Sequence, residues 1–361
     1  MRKLLLTTAI ASATLIASNA VAQTTVTGSL SMIYKGSSVD TGSDIKSGRG
    51  FGRESQLNVQ NKGKLNNGID YAAGFALEFD GGQSNDASNE NIYIDFIFPS
   101  KTTITIGQDH IQNTNRTKGN FVGYDATDLA AGAVAGTNAG FIQSAGIDVA
   151  QFTGIGIVQA TNFGNISYNY VPNVGTAASS AISTNGTWGT GSGTTAYLGA
   201  GDTTISETDG EASYEIGFDG SLGVKGLGVH YFYNESPKNS GGVLLRDHQG
   251  INYGVSYNMG QITAGYNRKE TEVGTSATLD IEQDEFAVAY AVSPTITLGA
   301  NYTKASSNAA NTPDAKSKSV AVGYNLGPVA LTAQFAKMEA ISFTAAEKDV
   351  DVVTLRAVAA F

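Results

Sequence analysis

Residues 283–304 read QDEFAVAYAVSPTITLGANYTK. In the first half Phe286, Val288, Tyr290 and Val292 alternate with Glu285, Ala287, Ala289 and Ala291. After Ser293-Pro294 the alternation resumes, with Ile296, Leu298, Ala300 and Tyr302 against Thr295, Thr297, Gly299 and Asn301. A period of two puts each set on its own face of an extended strand, and a Ser-Pro link is short enough for a hairpin. One face is therefore apolar and aromatic, the other small and polar. Residues 249–258 repeat the pattern, with Ile251, Tyr253, Val255 and Tyr257 opposed to Asn252, Gly254, Ser256 and Asn258.

Carried along the chain, the same reading predicts about sixteen strands, near 24–36, 51–62, 68–80, 91–98, 102–109, 153–161, 164–172, 211–219, 227–236, 249–258, 261–269, 283–292, 295–304, 317–325, 329–337 and 350–361. Their links alternate between short and long. The short ones, such as Pro99-Ser100-Lys101, Met259-Gly260 and Leu326-Gly327-Pro328, suit tight turns, and the long ones are rich in Gly, Ser, Asn and Asp. All the short turns then fall at one end. An even-stranded antiparallel meander with one tidy end and one loop-rich end is the layout of a transmembrane β-barrel with periplasmic turns and extracellular loops. A soluble sandwich would instead bury the apolar face against a second sheet. The outward aromatics Tyr34, Phe79, Phe98, Tyr170, Tyr214, Tyr233, Tyr257, Tyr266, Tyr290, Tyr302, Tyr324 and Phe361 fall near strand ends, where a membrane barrel carries its interfacial girdles. The prolines Pro99, Pro172, Pro237, Pro294, Pro313 and Pro328 are expected at strand ends or in links, because proline cannot donate to a ladder.

Residues 1–22 read as a cleaved signal peptide, with Arg2 and Lys3, an apolar run from Leu4 to Ala17, and Ala20-Val21-Ala22 ahead of Gln23. That run is too short for a spanning helix, and nothing else supplies eighteen consecutive apolar residues, so any membrane protein here must be a barrel. Removing it leaves residues 23–361 with 20 basic and 32 acidic side chains, after Arg2 and Lys3 are subtracted from the 22 basic residues of the chain. A net charge near −12 (20 minus 32) argues against a nucleic-acid partner. The absence of cysteine excludes disulfides and thiolate metal sites.

Two hairpins and the last strand point to a family. Asn91-Ile92-Tyr93-Ile94-Asp95-Phe96 leads to Thr105-Ile106-Gly107, and Phe152 to Ile157 leads to Ile166-Ser167-Tyr168-Asn169-Tyr170. The final strand reaches Phe361 with Ala359, Ala357, Leu355 and Val353 apolar on alternate positions. Across its mature length the chain resembles the sixteen-stranded general diffusion porins of Gram-negative bacteria, especially the alphaproteobacterial type. The resemblance implies an outer-membrane channel for ions and small hydrophilic solutes. It also implies a homotrimer in outer-membrane lipid, and recognition of Phe361 by the barrel-assembly machinery. Few girdle tyrosines accompany Val26, Leu30, Met32, Leu57, Val59, Leu355 and Ala357 on the outer face of the first, second and last strands, a patch that would suit a subunit contact.

The resemblance further implies that the loop at about 109–151 folds into the barrel as a constriction, with Phe121, Tyr124 and Phe141 as anchors. Asp125, Asp128 and Asp109 become its acidic residues. Parity puts Lys35 and Arg356 in the lumen, whereas Arg53 shares the outward parity of Leu57 and Val59 and could join the family's opposing basic cluster only near the rim or past a bulge. Lumen-facing Asp70, Glu78, Asp95, Glu215, Asp219 and Glu285 outnumber Lys35, Lys269 and Arg356, which predicts a weak cation preference. No cofactor is expected, although the loop carboxylates Asp80, Asp86, Asp109, Asp125 and Asp128 are of the type that holds calcium. His110, His230 and His248 form no metal-spaced set, and Asp247-His248 is the sole candidate acid–base pair, so no enzyme is expected. A substrate-specific channel and a plugged structural or adhesive surface barrel remain as alternative readings.

Overall fold

A computed structural model describes residues 23–40, 45–80, 88–108, 121–130, 141–142, 153–171, 212–240, 243–272, 280–341, 343 and 349–361. The side chains of residues 45–46, 80, 88–90, 108, 127, 153, 236–240 and 243–248 fall outside that description, as do residues 1–22 and Pro172.

Among the described residues sixteen strands and one short helix follow in order. These are β1 (Gln23–Asp40), β2 (Ile45–Lys64), β3 (Asp70–Asp80), β4 (Ser88–Ile97), β5 (Thr102–Gln108), α1 (Ala126–Ala130), β6 (Thr153–Ala160), β7 (Gly164–Val171), β8 (Ser213–Gly220), β9 (Leu227–Ser240), β10 (Val243–Asn258), β11 (Ile262–Glu272), β12 (Ile281–Ala291), β13 (Ile296–Ser307), β14 (Ala315–Asn325), β15 (Val329–Glu339) and β16 (Asp349–Ala360). Each strand pairs with its sequence neighbours, and β1 pairs with β16, so the sheet closes on itself. Closure satisfies every edge, as a sheet within lipid must. At the seam Gly28 and Phe361 exchange both backbone bonds, Gly28 N to Phe361 O at 2.9 Å and Phe361 N to Gly28 O at 3.0 Å.

The period of two governs the wall. On β12, Phe286, Val288 and Tyr290 are 49%, 43% and 43% exposed on the outer face, whereas Glu285, Ala287 and Ala289 are at most 9% exposed on the inner one. The outward side chains are apolar because their solvent is lipid. Many of the inner ones on β12 to β16, such as Ala287, Ala289, Ala305, Ala321 and Ala336, are small, which leaves space for inserted residues. Glycine at positive φ makes two of the tight turns, Gly260 (φ 84) and Gly327 (φ 85).

Two expectations need correction. β1 and β2 run far past the predicted 24–36 and 51–62, joined by only residues 41–44. Their outer ends are polar, and ladder pairing continues beyond the stretch in which lipid imposes an alternating pattern. Pro237 lies inside β9 rather than at its end. It pairs with Asp247 where the β9–β10 register shifts between Leu244 and Asp247, an irregularity of the kind that tolerates a missing donor.

Candidate functional site: the lumen and its inserted loop

Residues 121–130 and 141–142, between β5 and β6, lie inside the barrel, against the wall opposite the β5–β6 root. Val122 packs with Ala289 and Ala321, and Phe121 leans on them. Leu129 and Phe141 pack with Ala305, Ala315, Ala336, Met338 and Val352, with Tyr124 alongside. These partners are inward residues of β12 to β16, so residues 121–130 and 141–142 lie along that part of the inner wall.

Its seat is built from the wall. Gly299 on β13 provides a socket, since a β-carbon there would come within 2.5 Å of Val122 Cβ. The Tyr124 amide donates to Gln334 Oε1 at 2.7 Å, and Gln334 Nε2 donates back to the Tyr124 carbonyl at 2.9 Å. Gln283 on β12 repeats the arrangement at Ile142, whose amide donates to Oε1 at 2.7 Å while Nε2 lies 3.4 Å from its carbonyl. Asp125 caps α1, accepting from the Asp128 amide at 3.0 Å. Gly299→Val is expected to expel Val122. Losing the burial of one valine, about 1.5–3 kcal/mol, should speed amide hydrogen exchange over 121–130 roughly tenfold or more while the strands keep their protection. Unchanged exchange in that segment would show that the socket does not hold it.

The lumen charges fall as follows. Lys35 reaches α1 and donates to the Asp128 carbonyl at 2.9 Å. Arg356 lies over the Tyr124 ring at 5.2 Å, donates to Ser31 Oγ at 2.9 Å and stands 3.5 Å from Glu54. Both bases therefore share a wall with the inserted acids instead of opposing them. In a ring of sixteen strands the wall opposite the β1–β16 seam is β8–β9, which presents Glu215, Asp219 and His230 inward. Arg53 does not join them: the register sets it opposite Met32, on the outer face, and no bulge in β2 rotates it inward. Glu78 accepts from Gln56 at 2.7 Å, Asp95 from Thr105 at 2.5 Å, and Asp70 pairs with Lys64 at 2.5 Å near the turn end. Glu54, Lys62 and Lys64 share the lumen parity of β2 and escaped the sequence reading. The glutamine seats escaped it too, because a lumen-facing glutamine carries no mark of its partner.

A second polar system is sealed beneath the loop. Lys269 Nζ lies 3.0 Å from Glu285, both almost wholly buried, and also donates to the Ile142 carbonyl at 3.1 Å. Asn267 and Gln283 donate to the two Glu285 oxygens at 2.8 and 2.6 Å. His230 Nε2 meets two amide oxygens, Asn252 at 3.1 Å and Asn267 at 2.8 Å, so that nitrogen carries a proton. This histidine is a structural member of the wall. Asp109, His110 and Asp86 lie outside the described residues, as do the side chains of Asp80, Asp247 and His248. Among the described residues no group of three or more His, Cys, Asp or Glu could hold a metal ion.

The comparisons agree with this geometry. Residues 7–340 match the family model described as Gram-negative porin. The anion-selective porin from Comamonas acidovorans has a TM-score of 0.62 at 14% identity, over 94% of this chain and 100% of that one. OmpT of Vibrio cholerae, an outer membrane protein solved with loop L8 deleted, has a TM-score of 0.59 at 13% identity, over 94% and 99%. A substituted form of the porin of Rhodobacter blastica has a TM-score of 0.55 at 13% identity, over 94% and 100%. No curated protein matches this chain. The sixteen-stranded closed barrel and its inserted residues fit that family, and with the family model covering most of its length this chain belongs to the Gram-negative porins.

Proposed function

We propose that this outer-membrane channel is water-filled and passes ions and small hydrophilic solutes passively, with a weak preference for cations. The observation that carries the preference is how the bases are used. Lys35 and Arg356 hold the inserted loop, Arg356 also faces Glu54, and Lys269 is sealed against Glu285. Among the described residues the inward acids of the wall, Glu54, Asp70, Glu78, Asp95, Glu215, Asp219 and Glu285, also outnumber the inward bases Lys35, Lys62, Lys64, Lys269 and Arg356, which gives the lumen its net sign. Screening over roughly 8–10 Å in physiological salt keeps the effect small in a wide pore.

The working form is a homotrimer. Met32, Tyr34, Phe51, Tyr324, Leu331 and Ala357 line an apolar groove of about 660 Å³ on the outer face of the seam, a concavity suited to a neighbouring subunit. Residues 1–22 act as the secretion signal, and Phe361 on the seam serves the assembly machinery.

Reconstitution in a planar bilayer under a salt gradient tests this. Current steps in groups of three, with a small reversal potential of cation sign, are expected. A reversal potential of anion sign would overturn the charge reading. Saturation and block by one solute would mark a specific channel, and silence from folded protein a plugged barrel.

A further inference from the structure

Gln334 and Gln283 do the same unusual thing at two places. Each projects from the inner wall and captures the amide and carbonyl of a single loop residue, as an adjoining strand would. Gln334 also accepts contact from the loop side. A β-carbon on Gly123, whose φ is 85, would overlap its amide, so the loop is shaped around that side chain. Gln334 Nε2 in turn is held 2.9 Å from Ser319 Oγ, and Gln283 Nε2 2.6 Å from Glu285, so both amides are oriented before the loop arrives. What Gln334 seats lies over a base of the wall: Tyr124 is the ring over Arg356, and α1 two residues later receives Lys35.

We infer that Gln334 and Gln283 are selectivity-determining positioning residues, whose amides seat the loop and set pore width, Gln334 in addition holding the Tyr124 ring over Arg356 and so limiting that base's exposure to the ion path. The inference rests on the cation-preferring reading for its sign, but its mechanism can be tested separately. Without the Gln334 amide, Tyr124 loses both backbone bonds to that side chain and the loop loosens from β15. The aperture widens, and Arg356, 29% exposed with the loop seated, gains further access to lumen water.

Single-channel recording on the full-length trimeric porin compares wild type with Gln334→Ala, Gln283→Ala and Gln334→Ala/Arg356→Gln. Unheated gel mobility first confirms that each barrel is folded. In both single variants conductance and open-channel noise should rise, and in Gln334→Ala the reversal potential under a salt gradient should shift in the anion direction. Adding Arg356→Gln should return the potential toward wild type while leaving the larger conductance. Wild-type conductance in folded Gln334→Ala, or a potential that Arg356→Gln leaves unmoved, would overturn the inference. A wild-type channel of anion sign would overturn only the cation reading, because the direction of the shift still reports the uncovered base. Should Gln334→Ala fail to fold, Gly123→Ala attacks the same contact from the loop and is read in the same way.

Discussion

Lys269→Met should destabilise the folded barrel by about 3–5 kcal/mol, the usual cost of leaving one member of a buried ion pair alone. Lys269 and Glu285 lie 3.0 Å apart with side chains 0% and 4% exposed, so bulk water does not replace the lost ammonium. Asn267 and Gln283 still donate to the carboxylate, but two neutral amides do not balance its charge. The substitution also removes the bond from Nζ to the Ile142 carbonyl, so one foot of the loop loosens with the wall. Denaturant unfolding in detergent micelles, compared at matched slopes, measures the loss. Glu285→Gln and the double variant complete a cycle, and the double should be more stable than the sum of the single losses predicts. A Lys269→Met barrel within about 1 kcal/mol of wild type would mean that the carboxylate is hydrated from the lumen and the pair is not sealed.

How much of this could be read beforehand follows from the range of each interaction. The strands and short turns were legible because side-chain parity and turn chemistry are local. Phe286 faces lipid and Glu285 the lumen on the evidence of immediate neighbours alone. Parity also placed Lys35 and Arg356 inward and Arg53 with the outward Leu57, and the register bears out those faces. What they touch was beyond reach. Lys35 meets a carbonyl 93 positions away, and Gln334 meets Tyr124 across 210, with no pattern in either stretch to announce the other. The outer ends of β1 and β2 were missed for the opposite reason. Residues above the lipid band alternate in space but not in hydropathy, so Ser37-Ser38 and Ser47-Gly48 resemble loop although they pair in register. Among the described residues, Lys35 and Arg356 meet the loop on its own wall, a placement that needs the path of residues 121–130 across the lumen and so lay beyond local pattern.

Gly28→Val should block barrel closure outright. Gly28 lies on the outer face of β1 where the seam meets Phe361, and a β-carbon there would stand 2.5 Å from Phe361 Cζ and 2.7 Å from the Gln56 carbonyl oxygen. The ring can swing aside into lipid. The carbonyl belongs to the β1–β2 ladder and cannot move without breaking it, so β1 must separate from β2 or from β16. Either outcome leaves unpaired backbone groups facing hydrocarbon, at several kcal/mol each. Refolding of purified chain into lipid vesicles, scored by trypsin resistance and fast mobility in unheated gels, should give little or no barrel. Phe361→Ala provides the contrast. Its ring is 61% exposed and both of its backbone bonds to Gly28 survive the substitution, so refolding from pure components should lose only about 1 kcal/mol. A far larger deficit for Phe361→Ala in cells than in vesicles would separate recognition by the assembly machinery from closure of the seam. Equal, mild deficits in both settings would assign the ring to packing alone. Wild-type refolding of Gly28→Val would show that the seam has slack at Gln56, and that Phe361 covers Gly28 without depending on its missing side chain.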